Sequence, residues 1–174
     1  MQKILFLSLF TLLAMPHKSF AQSEQFLADF RQKWGNAFEY TFEVAELMPE
    51  DAYSYKPTPE QKTFREQLLH ILQNAVWLCS SYLGGSPFEK NLEPADQSKA
   101  ELLVLIQETF AYTNAVLEKV SPEMLEEEVS FFTDKVQRKG QILTLLNDHH
   151  THHRGQLLIY LRLNDIKPPK YRGW

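Results

Sequence analysis

Four of the chain's six histidines lie inside nine residues, Asp148-His149-His150-Thr151-His152-His153-Arg154-Gly155-Gln156. The run from Gln141 to Leu163 around them has the period of an amphipathic helix, with apolar residues at Ile142, Leu145, Leu146, Tyr160 and Leu163. On that helix His149, His153 and Gln156 continue the apolar stripe, so two imidazoles stand where core side chains are expected. Residues four apart are turned by about 40° and separated by about 6 Å along the axis, close enough for two imidazoles to share one ion. His150 is turned about 100° from His149 and is expected to face water. His152, three residues after His149, could also converge, and spacing alone leaves open whether it joins or replaces its neighbours.

A pair of histidines is an incomplete metal site. His70, in Phe64-Arg65-Glu66-Gln67-Leu68-Leu69-His70-Ile71-Leu72, is the one histidine between the N-terminal segment and the cluster, and it too lies on a helical apolar pattern. Three neutral imidazoles from two packed helices would leave coordination positions open, as in catalytic rather than closed structural sites. The competing reading is a solvated histidine patch beside one hydrogen-bonded core histidine.

His149 followed by His153-Arg154-Gly155-Gln156 resembles the H-x-x-x-H-R-G-Q signature of the DinB-like superfamily of metal-dependent hydrolases. Leu68-Leu69-His70-Ile71 resembles that family's first ligand segment, and Tyr55-Lys56-Pro57-Thr58-Pro59 its approach. The likeness spans essentially the whole chain after its first residues. It implies an all-α fold, an antiparallel four-helix bundle, holding a divalent metal through His70, His149 and His153. Imidazole ligands suit zinc first, with nickel or iron as alternatives. The histidines at 150 and 152 are additions to the pattern.

The rest of the chain supplies helices to carry these residues. At 174 residues with 44% hydrophobic content it is long enough to bury one core, and a net charge of −4 offers no basic footprint for nucleic acid. Residues 1–21 read as a signal peptide: Lys3, an apolar run from Ile4 to Met15, then Ser19-Phe20-Ala21. The run is too short for a permanent membrane anchor. A secreted or periplasmic protein with its domain over residues 22–174 is the expectation. The single cysteine, Cys79, lies nine residues after His70 and reads as core filling, not as a ligand.

Ser23 to Leu47 reads as a first helix with Phe26, Phe30, Trp34, Ala37, Phe38, Thr41 and Ala45 inward. Thr63-Phe64-Arg65-Glu66 is a capping box opening the second, which makes Glu66 a cap and not a base. Gly84-Gly85-Ser86-Pro87 closes it. Ser98-Lys99-Ala100-Glu101 opens a third helix, and Ser121-Pro122 a short acidic turn. Val129 to Thr133 is expected to be an extended link without a partner. Tyr171 and Trp174 are expected to pack on the bundle.

Helices two and four must be neighbours for the triad to form. An ion there could activate water, or hold a thiol as thiolate. No carboxylate is forced onto it: Asp148 is turned away from His149. Gln156, Tyr160, Gln73 and Asn74 are placed to orient substrate or a ligand imidazole. Gly155 is read as permitting close helix approach, and Arg154 as a surface or ion-pair residue. Three functions stay open: an exported metal-dependent hydrolase acting on a small molecule, a thiol-dependent S-transferase, and a metal-binding bundle without catalysis. Family precedent suggests a homodimer.

Overall fold

A computed structural model describes residues 15–174 apart from 96, 133 and 134. The apolar core of the expected signal peptide falls mostly outside the described residues. Four long helices dominate: α1 (Met15–Leu47), α2 (Phe64–Tyr82), α3 (Lys99–Leu117) and α5 (Lys139–Leu163). A 3-10 turn (Glu50–Ser54) precedes α2, and a short α4 (Pro122–Glu126) leads into β1 (Glu128–Phe131) and β2 (Lys135–Arg138). The expected boundary between residues 21 and 22 lies inside α1. Among the described residues no helix is long and apolar enough to cross a membrane.

Local chemistry sets the helix ends. Thr63 accepts from the Glu66 amide while the Glu66 carboxylate accepts from the Thr63 N–H at 2.6 Å, the reciprocal box expected at the start of α2. Ser98 and Glu101 repeat it at α3. Gly84, at φ 81°, ends α2 in the left-handed conformation that a glycine takes without steric cost. Arg31 of α1 donates to the carbonyls of Leu117 and Val120, satisfying acceptors at the C-terminal end of α3 with a cation.

The all-α bundle is the architecture found, with a two-stranded hairpin attached. The main contacts among the four long helices join α1 to α3 and α5, and α2 to the same two, so α1 and α2 both lie between α3 and α5. Gln67 of α2 meets Gln156 of α5 and His70 meets His149, so those two run antiparallel. Phe38 stacks on Phe110 and Trp34 bonds Thr113, so α1 and α3 do as well. Phe26 beside Thr144, and Tyr40 beside Arg154, show that α1 and α5 run parallel. Parallel neighbours need a returning connection, and residues 84–98 provide one between α2 and α3. It is fixed by Tyr112 Oη donating to the Ser86 carbonyl and Gln73 donating to that of Leu92. Gln73 therefore ties down this crossover and does not orient a ligand.

The core forms two apolar clusters, one around Val44, Phe64, Leu68 and Leu157, the other around Trp34, Leu78, Cys79 and Leu146. Each such side chain contributes about 1.5–3 kcal/mol by leaving water. Cys79 is core filling as expected, its thiol pushed up to about 12 by burial. Three expectations are corrected. Phe26 is 41% exposed, because the buried row of α1 begins at Leu27, 2% exposed, and Phe26 falls to one side of it. Val129 has a partner after all: β1 pairs antiparallel with β2, Val129 opposite Gln137. Tyr171 and Trp174 touch Tyr40 and Lys33 yet stay 76% and 71% exposed.

Candidate metal centre

The triad is assembled by the antiparallel contact between α2 and α5. His70 stands on α2, and His149 and His153, one turn apart on α5, face it; the ring centroids are 4.9 Å and 4.5 Å from His70 and 4.3 Å from each other. One nitrogen from each ring lies within 4.8 Å of the others, and all three residues are half-buried. Nitrogens about 2.1 Å from a common ion are at most about 4.2 Å apart, so small rotations of the side chains suffice for them to share one.

Burial and mutual repulsion disfavour the protonated forms of the three rings, and the neutral form carries the free lone pair. Burial lowers the His149 pKa to about 4, helped by repulsion from protonated His153 and His70. His70 is lowered by burial and then by the Lys62 charge, and His153 by burial and then by His70. Among the described residues the converging ligand atoms come from three histidines and no carboxylate.

Gln67 is the residue that sequence reasoning missed. Only 2% exposed, its amide nitrogen lies 2.6 Å from His153 Nδ1 and also bonds the side-chain oxygen of Gln156. Gln156 in turn lies 3.0 Å from His152 Nε2. Gln67 thus holds His153 directly, and Gln156 and His152 extend the same chain of hydrogen bonds. The one signal in the sequence was an amide one turn before His70 on a core-facing row. His152 is exposed and touches the cluster through Gln156 and the edge of the His153 ring, outside the three nitrogens that converge. Asp148 is exposed, as its position predicts. Tyr160 donates to the Lys62 carbonyl at 2.7 Å, clamping the segment before α2 instead of reaching the site. Asn74, one turn past His70, has its side-chain oxygen sealed from solvent with no partner among the described residues.

Two neighbours of the triad are not where the helical wheel put them. His150 is 6% exposed: its Nε2 lies 2.7 Å from Thr41 Oγ1 and its ring meets Trp34 edge-on. Thr41 spends its own hydrogen on the Ala37 carbonyl, so the His150 Nε2 is the donor and Nδ1 is bare. Arg154, also 6% exposed, donates to the same Ala37 carbonyl and lies 4.9 Å over the Tyr40 ring. The reason is shared. A turn of about 100° from the triad leads from α2 not to water but to α1, the other neighbour of α5. Gly155 is corrected as well, since no atom lies within 4 Å of where its Cβ would stand.

The chain's likeness to known proteins agrees with this geometry. The uncharacterized protein YjoA of Bacillus subtilis is 33% identical over 127 residues, covering 70% of this chain and 80% of YjoA. The crystal structure of that DinB-like protein matches with a TM-score of 0.71 at 27% identity, over 84% of this chain and 99% of the other. A DinB-like protein from Bacillus cereus also matches at 0.71, with 21% identity over 82% and 95%. A mycothiol-dependent maleylpyruvate isomerase shares the fold at a TM-score of 0.57 and 14% identity, over 75% of this chain and 60% of its own. The DinB family's sequence model matches residues 15–172, and the chain belongs to the DinB family.

Proposed function

We propose that His70, His149 and His153 hold one divalent ion, zinc in the first instance, and that the chain is a metal-dependent hydrolase of small molecules. The observation that carries this is the convergence of three neutral imidazole nitrogens within 4.8 Å on two packed helices. The donor set fits: three nitrogens with no carboxylate leave a position open for water or substrate. A divalent ion there supplies Lewis acidity, lowering the pKa of what it binds.

The residues of the chain do the rest. His153 offers Nε2 to the ion when Nδ1 carries the hydrogen, and Gln67 then accepts that hydrogen through its amide oxygen. Gln156 donates its own N–H to the same oxygen and accepts from His152 Nε2–H, so both amides turn over together and every partner stays satisfied. Burial of the three rings keeps protons from competing for the site near neutral pH.

Elemental analysis of the purified protein beside a His70→Ala variant tests the site. About one equivalent of metal in the parent and its loss in the variant is expected; full metal in the variant would refute the ligand set. Ester and amide substrates then test hydrolysis.

A second reading is thiol-dependent group transfer, favoured by the structural likeness to the mycothiol-dependent isomerase. The composition of residues 1–21 weighs against it, since we also propose that they are removed on export to a secreted or periplasmic location, away from cytosolic thiols. A mature mass beginning at Gln22 would support export, and turnover that requires an added low-molecular-weight thiol would overturn the hydrolase reading. A homodimer is the proposed assembly, and light scattering tests it.

A further inference from the structure

On the flank of α5 away from the triad, a cavity of about 170 Å³ opens between α1, α5 and the C-terminal tail. Its walls include Lys33, Asn147, Thr151, Arg154 and Arg172, with Asp148 as the one acidic residue. Arg154 is its most buried charge. A guanidinium has five N–H donors, and this one uses a single nitrogen, on the Ala37 carbonyl at 3.2 Å, with the Tyr40 ring on its face. That carbonyl is already shared with the Thr41 hydroxyl at 2.9 Å. No carboxylate among the described residues lies within ion-pair distance of Arg154, whereas Arg172 has two, Glu39 and Glu43. None of its nitrogens is both sealed from solvent and unpartnered, so the unused donors reach solvent, and Arg154 lines this cavity.

A charge this buried is normally paired, because removing it from water costs more than one carbonyl and a ring face return. We propose that the cavity binds a small oxyanion, a carboxylate or a phosphate, which takes the open side of the Arg154 guanidinium. Both anions present the paired oxygens that a guanidinium fork grips with two parallel hydrogen bonds. Lys33 adds a second positive charge, and Asn147 and Thr151 offer neutral donors from the same face of α5. The tail closes one side: Arg172 is pinned to α1 by its two glutamates, which neutralise it and hold Tyr171 and Gly173 against the opening. The volume is below the roughly 300 Å³ at which drug-sized pockets begin, so the ligand is a small anion or the acidic end of a longer molecule.

The test titrates the full chain, as purified, with sodium acetate and separately with sodium phosphate at constant ionic strength. Calorimetry and the side-chain Nε–H resonance of Arg154 report binding. Saturable binding that shifts this resonance is expected with at least one anion, and linear shifts with both would overturn the proposal. Arg154→Gln should weaken binding by about tenfold or more, the loss expected for a hydrogen bond to a charged group. Lys33→Gln, at the rim, should weaken it by about two- to fivefold. If Arg154→Gln does not fold, the Lys33→Gln effect together with the Arg154 resonance decides the matter. His70→Ala separates this site from the triad: binding retained there supports the proposal, and binding lost there while Arg154→Gln keeps it would put the anion at the triad and overturn it.

Discussion

The Gln67 amide and His153 Nδ1 face each other at 2.6 Å across the antiparallel contact of α2 and α5. With Nδ1 engaged by Gln67, Nε2 is the His153 nitrogen left without this partner, and Gln67 has no ligand role of its own. Groups that orient a metal-bound imidazole in this way typically change metal affinity by about 10- to 100-fold when removed. Gln67→Leu is therefore expected to keep the helical content and lose metal affinity by that factor, measured by competition with a chromogenic chelator. Unchanged affinity would make Gln67 a core amide and nothing more.

His152 gives the opposite expectation. It is exposed, and it reaches the cluster through Gln156 instead of contributing one of the three converging nitrogens. His152→Ala should keep the full metal content, whereas His149→Ala should lose it. Elemental analysis of the two variants side by side checks this. A stoichiometric loss in His152→Ala would mean that the ligand set had been drawn one residue off.

The bundle could be read from the chain because its signals are local. The capping boxes at Thr63 and Ser98 and the apolar spacing of α3 act within a turn or two, where sequence distance and spatial distance agree. The His149–His153 pair was legible for a related reason, being one turn apart on a single helix, whereas His70 entered through its place on an apolar stripe and through the family likeness. The environments of His150 and Arg154 were not. Both depend on α1 lying against the second flank of α5, a fact about packing that no wheel of α5 contains. Gln67 was hidden because a buried amide looks the same in sequence whether it binds a carbonyl or an imidazole. The β1–β2 pair was missed because both faces of Lys135–Arg138 are largely solvent-exposed, leaving no alternation to read.

The burial of His150 makes stability depend on pH in a defined direction. Burial, and then the nearby Arg154 charge, holds its pKa down to about 3 against the usual 6.5. Below pH 6.5 the unfolded chain takes up a proton that the folded chain refuses, so acid favours unfolding from there down to about pH 3. Above pH 6.5 both states leave the ring neutral and this contribution is constant. His150→Phe removes the titrating group and keeps the contact with Trp34, while Thr41 retains its bond to the Ala37 carbonyl. Urea midpoints of chelator-treated parent and variant between about pH 7 and pH 4 should therefore diverge, the parent losing more as pH falls. Parallel curves would mean that the ring is protonated in the folded state.

Two glycines should respond oppositely to alanine. At Gly85, where the crossover leaves α2, an added Cβ would meet the Tyr112 hydroxyl and come within 2.9 Å of both the Cys79 carbonyl oxygen and Val116 Cγ2. The Gly85 N–H is bonded to that same carbonyl at 2.9 Å, and Tyr112 is held by the Ser86 carbonyl, so neither side yields without breaking a hydrogen bond. Overpacking of this kind costs about 1–3 kcal/mol, and Gly85→Ala should lower the urea midpoint accordingly. Gly155 lies inside α5, exposed, with open space around its Cβ position. There alanine only improves the helix, by up to about 1 kcal/mol, and Gly155→Ala should raise the midpoint. Since Gly155 sits between Arg154 and Gln156, a fall in stability instead would show that a close neighbour occupies this face of α5 in the assembled protein.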